Sequence, residues 1–165
     1  MSAMDGSTTS PDGVPPPARN VRSVAVAIRD ATRPGALLLV QRPPDDADLP
    51  DAWGLPAASL RAGESWVDAA RRAGRDKLGV ELEVGTERNR GTTRRGDTRL
   101  TMRLFEATIS RGEPHVPQPV PGVTQYTAWR WGAAAALDDG ARRGSLCCRL
   151  QLELEGGGTR VGREP

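Results

Sequence analysis

The sequence predicts a mixed α/β (α+β) domain, and three stretches carry that prediction. "VRSVAVAI" (21–28) alternates its apolar residues and "ALLLVQR" (36–42) is a short continuous apolar run, both the mark of strands. Over residues 64–78 the period changes: Val67, Ala70, Gly74 and Leu78 recur at spacings of three and four, as on one face of a helix. Strand character then returns over residues 80–84 and 98–109, so strands flank the helix on both sides.

The remaining elements follow from composition. Residues 1–20, "MSAMDGSTTSPDGVPPPARN", hold Ser, Thr, Gly and Pro with almost nothing to bury and are expected to be a flexible tail. Residues 21–155 form the domain, and the Gly-rich stretch 156–165 is expected to be a second loose tail. A Pro-rich acidic loop, "PPDDADLPDA", leads into "WGLP", and "RRGD" (94–97) is the turn before the later strand. "TQYTAWRW" (124–131) is a further strand candidate, while Leu146, Leu150 and Leu154 suggest a closing helix. No internal repeat is present.

Composition narrows the function. The chain has 165 residues, 37% hydrophobic and 27% charged, with a net charge of +2, so it has a core to bury but no electrostatic footprint for a nucleic-acid polymer. No apolar run reaches bilayer length and the start lacks the apolar core of a signal peptide, which predicts no membrane partner and a cytoplasmic location. Cys147 and Cys148, adjacent and alone, are expected to be reduced packing residues. Of 23 basic side chains only one, Lys77, is a lysine.

Around Lys77 the register is informative. From Trp53 to Val80 the chain resembles the Nudix (MutT-like) hydrolase family across its signature box, G-x5-E-x7-R-E-U-x-E-E-x-G-U with U a bulky apolar residue. The resemblance includes the lead-in "WGLP", the "GES" at 63–65 and the closing Gly79-Val80. It implies a mixed β-sheet sandwiched between helices, and cleavage of a nucleoside-diphosphate derivative or related phosphoanhydride. In that chemistry, clustered helix glutamates hold Mg²⁺ or Mn²⁺, neutralise phosphate and activate water.

What fills the register departs from the pattern. The first box glycine is Ala58, whose main-chain carbonyl is a candidate ligand; the next glutamate is Glu64 and the helix arginine is Arg72. The glutamate after that arginine is replaced by Ala73, and the later glutamate pair by Asp76 and Lys77. Hard cations need oxygen ligands, and alanine offers none. Lysine at 77 would lie back over the turn toward position 73 and place an ammonium where the divalent ion belongs. Lysine neutralises charge but does not acidify water as a metal does.

The resemblance therefore assigns Arg72, Asp76 and Glu64 as catalytic candidates and Asp76 and Glu64 as the residual metal ligands, while the departure at Lys77 makes it, with Arg42 and Arg75, a candidate ligand-binding cation. Two functions remain: a Nudix-like hydrolase with weakened metal-dependent catalysis, or a non-hydrolytic or metal-independent protein that grips a phosphorylated small ligand with Lys77. A homodimer is the assembly to be tested. Plainer readings stand beside these: Asp68, Arg72 and Asp76 as an exposed charge ladder, Arg75 and Lys77 as solvated cations at a helix end. Outside the box, Glu106 is a candidate for an extra acidic role and Gln125 is the nearest polar analogue in a stretch without acids, while Trp129 and Trp131 share a strand face that could stack on a base or pack in the core.

Overall fold

The "VAVAI" run is accounted for by strand β1 (Arg19–Arg29), whose two faces enter two different cores. Val24, Val26 and Ile28 point into one core with Leu38, Val40, Leu78 and Phe105; Ala25 and Ala27 point into the other with Leu37, Leu39, Leu104 and Leu146. A strand buried on both faces reads as continuous apolar sequence, and here the large residues take one side and the alanines the other. The computed structural model describes residues 19–163, with side chains described through residue 156.

After β1 the chain forms β2 (Leu37–Gln41), β3 (Trp53–Gly54), β4 (Ala57–Ser59), helix α1 (Trp66–Leu78), β5 (Glu81–Arg95) and β6 (Thr98–Arg111). It ends with β7 (Ala128–Gly132), one 3-10 turn (Ala134–Leu137), α2 (Asp138–Arg142) and α3 (Leu146–Arg163). One sheet runs β4-β1-β6-β5 and a second β3-β2-β7. β1 and β6 are parallel, and the other pairs are antiparallel. Helix α1 packs on one face of the first sheet and α3 on the other, the mixed sheet between helices that the sequence predicts.

Three boundaries differ from expectation. Arg19 and Asn20 belong to β1, where they pair with Thr98 and Arg99, so the sheet begins two residues earlier than the expected domain. The rest of that expected tail, residues 1–18, lies outside the described residues. β5 runs eleven residues beyond position 84, because its polar outer half is held by β6 on one side and by α3 beneath it: Asn89 donates to the Leu150 carbonyl at 3.0 Å. Helix α3 continues through Arg163, past residue 155.

Helix α1 carries the box, and its ends are well defined. Ser65 is the N-cap, its hydroxyl accepting from Asp68 N at 3.0 Å, and Gly79 takes the left-handed conformation (φ 71°) that closes the helix. Gly74 stands where the family pattern has a bulky apolar residue; a Cβ there would lie 2.6 Å from Leu82 Cγ and 3.2 Å from the Val80 carbonyl oxygen. The helix thus sits closer to β5 than any larger residue would permit.

Candidate functional site

Arg72 is the organising residue of the box. It is buried, and its guanidinium meets Glu64 side on, Nε to Oε2 at 2.8 Å and Nη2 to Oε1 at 2.9 Å, while Nη2 also donates to the Ser59 carbonyl at 2.6 Å. Such a bidentate pair fixes geometry as well as charge. The hydrogen bonds from Arg72 hold the Glu64 carboxyl at about 2, far below its usual value, and the pair in turn raises Arg72. Glu64 Oε1 also accepts from the Arg61 backbone N–H at 3.0 Å. Loop 59–64 is thereby clamped to α1, and the exposed ladder expected of Asp68, Arg72 and Asp76 is replaced by a buried clamp with Asp76 at its edge.

Asp76 is held loosely, 3.5 Å from Arg72 Nη1 and 3.8 Å from Arg61 Nη2. Lys77 is not solvated: only 8% of the residue is exposed, and Nζ donates to the Thr124 carbonyl at 2.5 Å while lying 4.9 Å from the centre of the Tyr126 ring. Burial, with Arg42 nearby, pushes the Lys77 ammonium down to about 8. Tyr126 is itself buried, its hydroxyl accepting from the Ala57 N–H at 3.0 Å, and burial raises it to about 12.

The path of Lys77 corrects the expectation that it folds toward position 73. Ala73 is fully buried in the core between sheet and helix, so no open space exists there, and the amine extends instead to the loop before β7. It lines a cavity of about 220 Å³ with Arg42, Ser23, Ser59, Ala58 and Tyr126. Arg42 comes from the end of β2 and is paired with Asp46 at 3.3 Å. This cavity shares Arg42, Asp46 and Thr124 with a wider bowl of about 730 Å³ lined by the "PPDDAD" loop.

Of the residues expected to act together, the structure joins Glu64, Arg72 and Asp76 in one cluster and Lys77 and Arg42 in the adjoining cavity. It does not bring Arg75 to either: that side chain is half exposed and reaches Glu81 at 3.6 Å. Gln125 is structural, donating to the Asp76 carbonyl at 3.1 Å and accepting from Gln118 N at 2.8 Å, and Glu106 pairs with Arg88 at the sheet surface. Cys147 and Cys148 are buried free thiols, as expected. Sequence reasoning missed Thr124, Tyr126 and Ser59. Thr124 and Tyr126 lie far outside the motif and only the fold brings them to the box, while Ser59 falls at an unspecified position of the box and contributes its backbone carbonyl, which no side-chain pattern marks.

The side chains do not fit a divalent ion at the box. Position 73 presents a buried methyl and position 77 an ammonium, and both oxygens of Glu64 are taken by Arg72. That leaves Asp76 as a single carboxylate, and among the described residues no group of three His, Cys, Asp or Glu side chains is placed to hold a metal.

A family model described as the NUDIX domain matches residues 19–144. The chain belongs to the Nudix family. Solved structures agree on the fold. A NUDIX hydrolase from Nitrosomonas europaea superposes with a TM-score of 0.67 at 17% identity, covering 84% of this chain and 90% of that one. A MutT NUDIX hydrolase from Burkholderia pseudomallei gives 0.60 at 24% identity, covering 71% and 85%. The dihydroneopterin triphosphate pyrophosphohydrolase of E. coli gives 0.53 at 24%, covering 71% and 84%. No curated protein sequence matches the chain. Within this Nudix domain, then, the box presents the Glu64–Arg72 clamp with Asp76 beside it, and carries Ala73 and Lys77 at positions that the family pattern fills with glutamate.

Proposed function

We propose that this Nudix-family protein binds a phosphorylated small ligand in the Lys77–Arg42 cavity and holds it with fixed protein charge in place of a divalent ion. The buried Lys77 ammonium carries this reading. Among the described residues it has no carboxylate within ion-pairing distance, and it faces a cavity that Arg42 also lines. A phosphate oxygen about 4 Å away would gain roughly 4 kcal/mol of attraction per unit charge at an effective dielectric of 20. That interaction offsets the cost of burying the amine.

Size supports the same assignment. A space of about 220 Å³ suits the phosphate end of a ligand, and the adjoining bowl of about 730 Å³ is open to the remainder. The names of two fold relatives, an ADP-ribose pyrophosphatase from Streptococcus suis and the E. coli dihydroneopterin triphosphate enzyme, describe action on phosphoanhydrides. Compounds of that class are the first to try here. Metal-dependent hydrolysis is the less favoured function, because only Asp76 is left to serve it.

Calorimetry with ADP-ribose, nucleoside diphosphates and inorganic pyrophosphate, each with and without Mg²⁺, tests the reading, with turnover followed in parallel as AMP from ADP-ribose and inorganic phosphate from the other two. Binding that needs no Mg²⁺, falls at least tenfold in Lys77→Met and proceeds without turnover is the expected result. Mg²⁺-dependent turnover that disappears in Asp76→Asn would replace it with the hydrolase.

A further inference from the structure

A second cleft, of about 500 Å³, opens at the other end of the domain. The Lys77 cavity borders Ser23 of β1 and Met102 of β6, whereas this cleft borders Arg29 and Thr108, six residues further along both strands and so about 20 Å away. The two share no lining residue. One wall is made by Trp129 and Trp131 of β7, whose side chains pack on the core and are only partly buried.

The tryptophans of this chain follow a pattern with one exception. Arg103 and Arg22 lie 4.3 and 5.8 Å from the centre of the Trp66 ring, Arg130 lies 4.4 Å from Trp53, and Arg33 lies 5.2 Å from Trp131. Among the described residues, no cation of the chain lies over Trp129. The charges around it are also unequal once their partners are considered. Asp30 is engaged by Arg33, and Arg29 reaches Glu155 at 3.6 Å, outside the cleft. Glu113, exposed at the rim, is the one charged residue of the lining without an ion-pair partner among the described residues.

We propose that this cleft binds a small organic cation, of the guanidinium or quaternary-ammonium class, on the face of Trp129 with Glu113 as its counter-charge. An indole face attracts such ions through its quadrupole, and a weakly hydrated cation loses little on leaving water. Arg33 over Trp131 is a model of the contact supplied by the chain itself. The cleft is large enough for the ion and a short substituent.

The test uses choline and methylguanidine as probes and the ¹⁵N-labelled indole N–H signals of the full chain as readout, with Trp129 identified from Trp129→Phe. Either probe should shift the Trp129 signal saturably and leave Trp66 unmoved, while the neutral isosteres 3,3-dimethylbutanol and methylurea should leave both signals in place. Glu113→Gln, an exposed substitution that does not threaten folding, should weaken binding about tenfold, and Lys77→Met should leave it unchanged. No saturable shift with either cation, an equal response to the neutral isosteres, or an unaltered affinity in Glu113→Gln would each overturn the proposal.

Discussion

Lys77 and Arg72 are both buried cations of α1, yet their energetics are opposite in sign. The Arg72 charge is answered by Glu64 in a bidentate pair, so removing the partner is costly: Glu64→Ala should destabilise the domain by about 3 kcal/mol in urea unfolding, by leaving a buried guanidinium with only the looser Asp76 contact at 3.5 Å. Because the Glu64 carboxyl is held near 2, its contribution is full above the ordinary glutamate range and is lost as pH falls from there toward 2. Lys77 has one carbonyl and an aromatic face as partners and no paired carboxylate. Its folded value of about 8 lies below the ordinary 10.5, so the unfolded chain binds more protons between those values and stability rises with pH across that window. Lys77→Met should therefore stabilise the protein at pH 7, on the order of 1–3 kcal/mol, while removing ligand affinity. Opposed effects on stability and binding are expected of a residue retained for function. In the wild type, affinity for pyrophosphate should fall about tenfold between pH 7 and 9 as the ammonium deprotonates, although the ligand grows more negative; an affinity that held or rose would remove Lys77 from the site.

At the scale of the element, α1 shows where local preference yields to packing. Alanine is the better helix former, by about 1 kcal/mol over glycine. Even so, Gly74→Ala should destabilise by about 1–3 kcal/mol in chemical denaturation, because the new methyl meets Leu82 at 2.6 Å with the Val80 carbonyl behind it. A gain in stability would mean that β5 moves away at little cost. The same helix marks how far sequence reading reaches. Its residues 67 to 78 were legible because burial on one face imposes a spacing of three and four, and "VAVAI" was legible because both faces of β1 are covered. The outer half of β5, "GTERNRGTTRR", alternates between partly buried and exposed residues that are nearly all polar, so no apolar period announces it. β3 and β4 span two and three residues, too short for any period, and the 3-10 turn and α2 fall in an Ala- and Asp-rich stretch without a clear apolar face. The site divides in the same way. Glu64, Arg72, Asp76 and Lys77 sit at fixed offsets within one motif, whereas Thr124 and Tyr126 reach Lys77 across 47 and 49 residues of chain.

For the molecule as a whole, charge replacement has a thermodynamic signature that separates it from metal loading. A ligand that binds only the folded state stabilises it by RT ln(1 + [L]/Kd), about 2.7 kcal/mol at a hundredfold excess over Kd. For a domain of this size each kcal/mol moves Tm by roughly 2–4 °C, so saturating pyrophosphate should raise Tm by about 5–10 °C. Mg²⁺ alone, at the same excess over its affinity for ordinary Nudix boxes, should leave Tm where it was, since the box here offers Asp76 as its one loosely held carboxylate, 3.5 Å from Arg72, while both oxygens of Glu64 are engaged. Adding Mg²⁺ with pyrophosphate should lower the shift rather than increase it: the ion neutralises the charge that Lys77 and Arg42 recognise, and two positive centres within about 4 Å repel by roughly 4 kcal/mol per unit charge. In Lys77→Met the pyrophosphate shift should fall by about half or more at every Mg²⁺ concentration. A shift that instead grows with Mg²⁺ would return the domain to the metal-dependent chemistry of its family, with Lys77 carried along as a bystander.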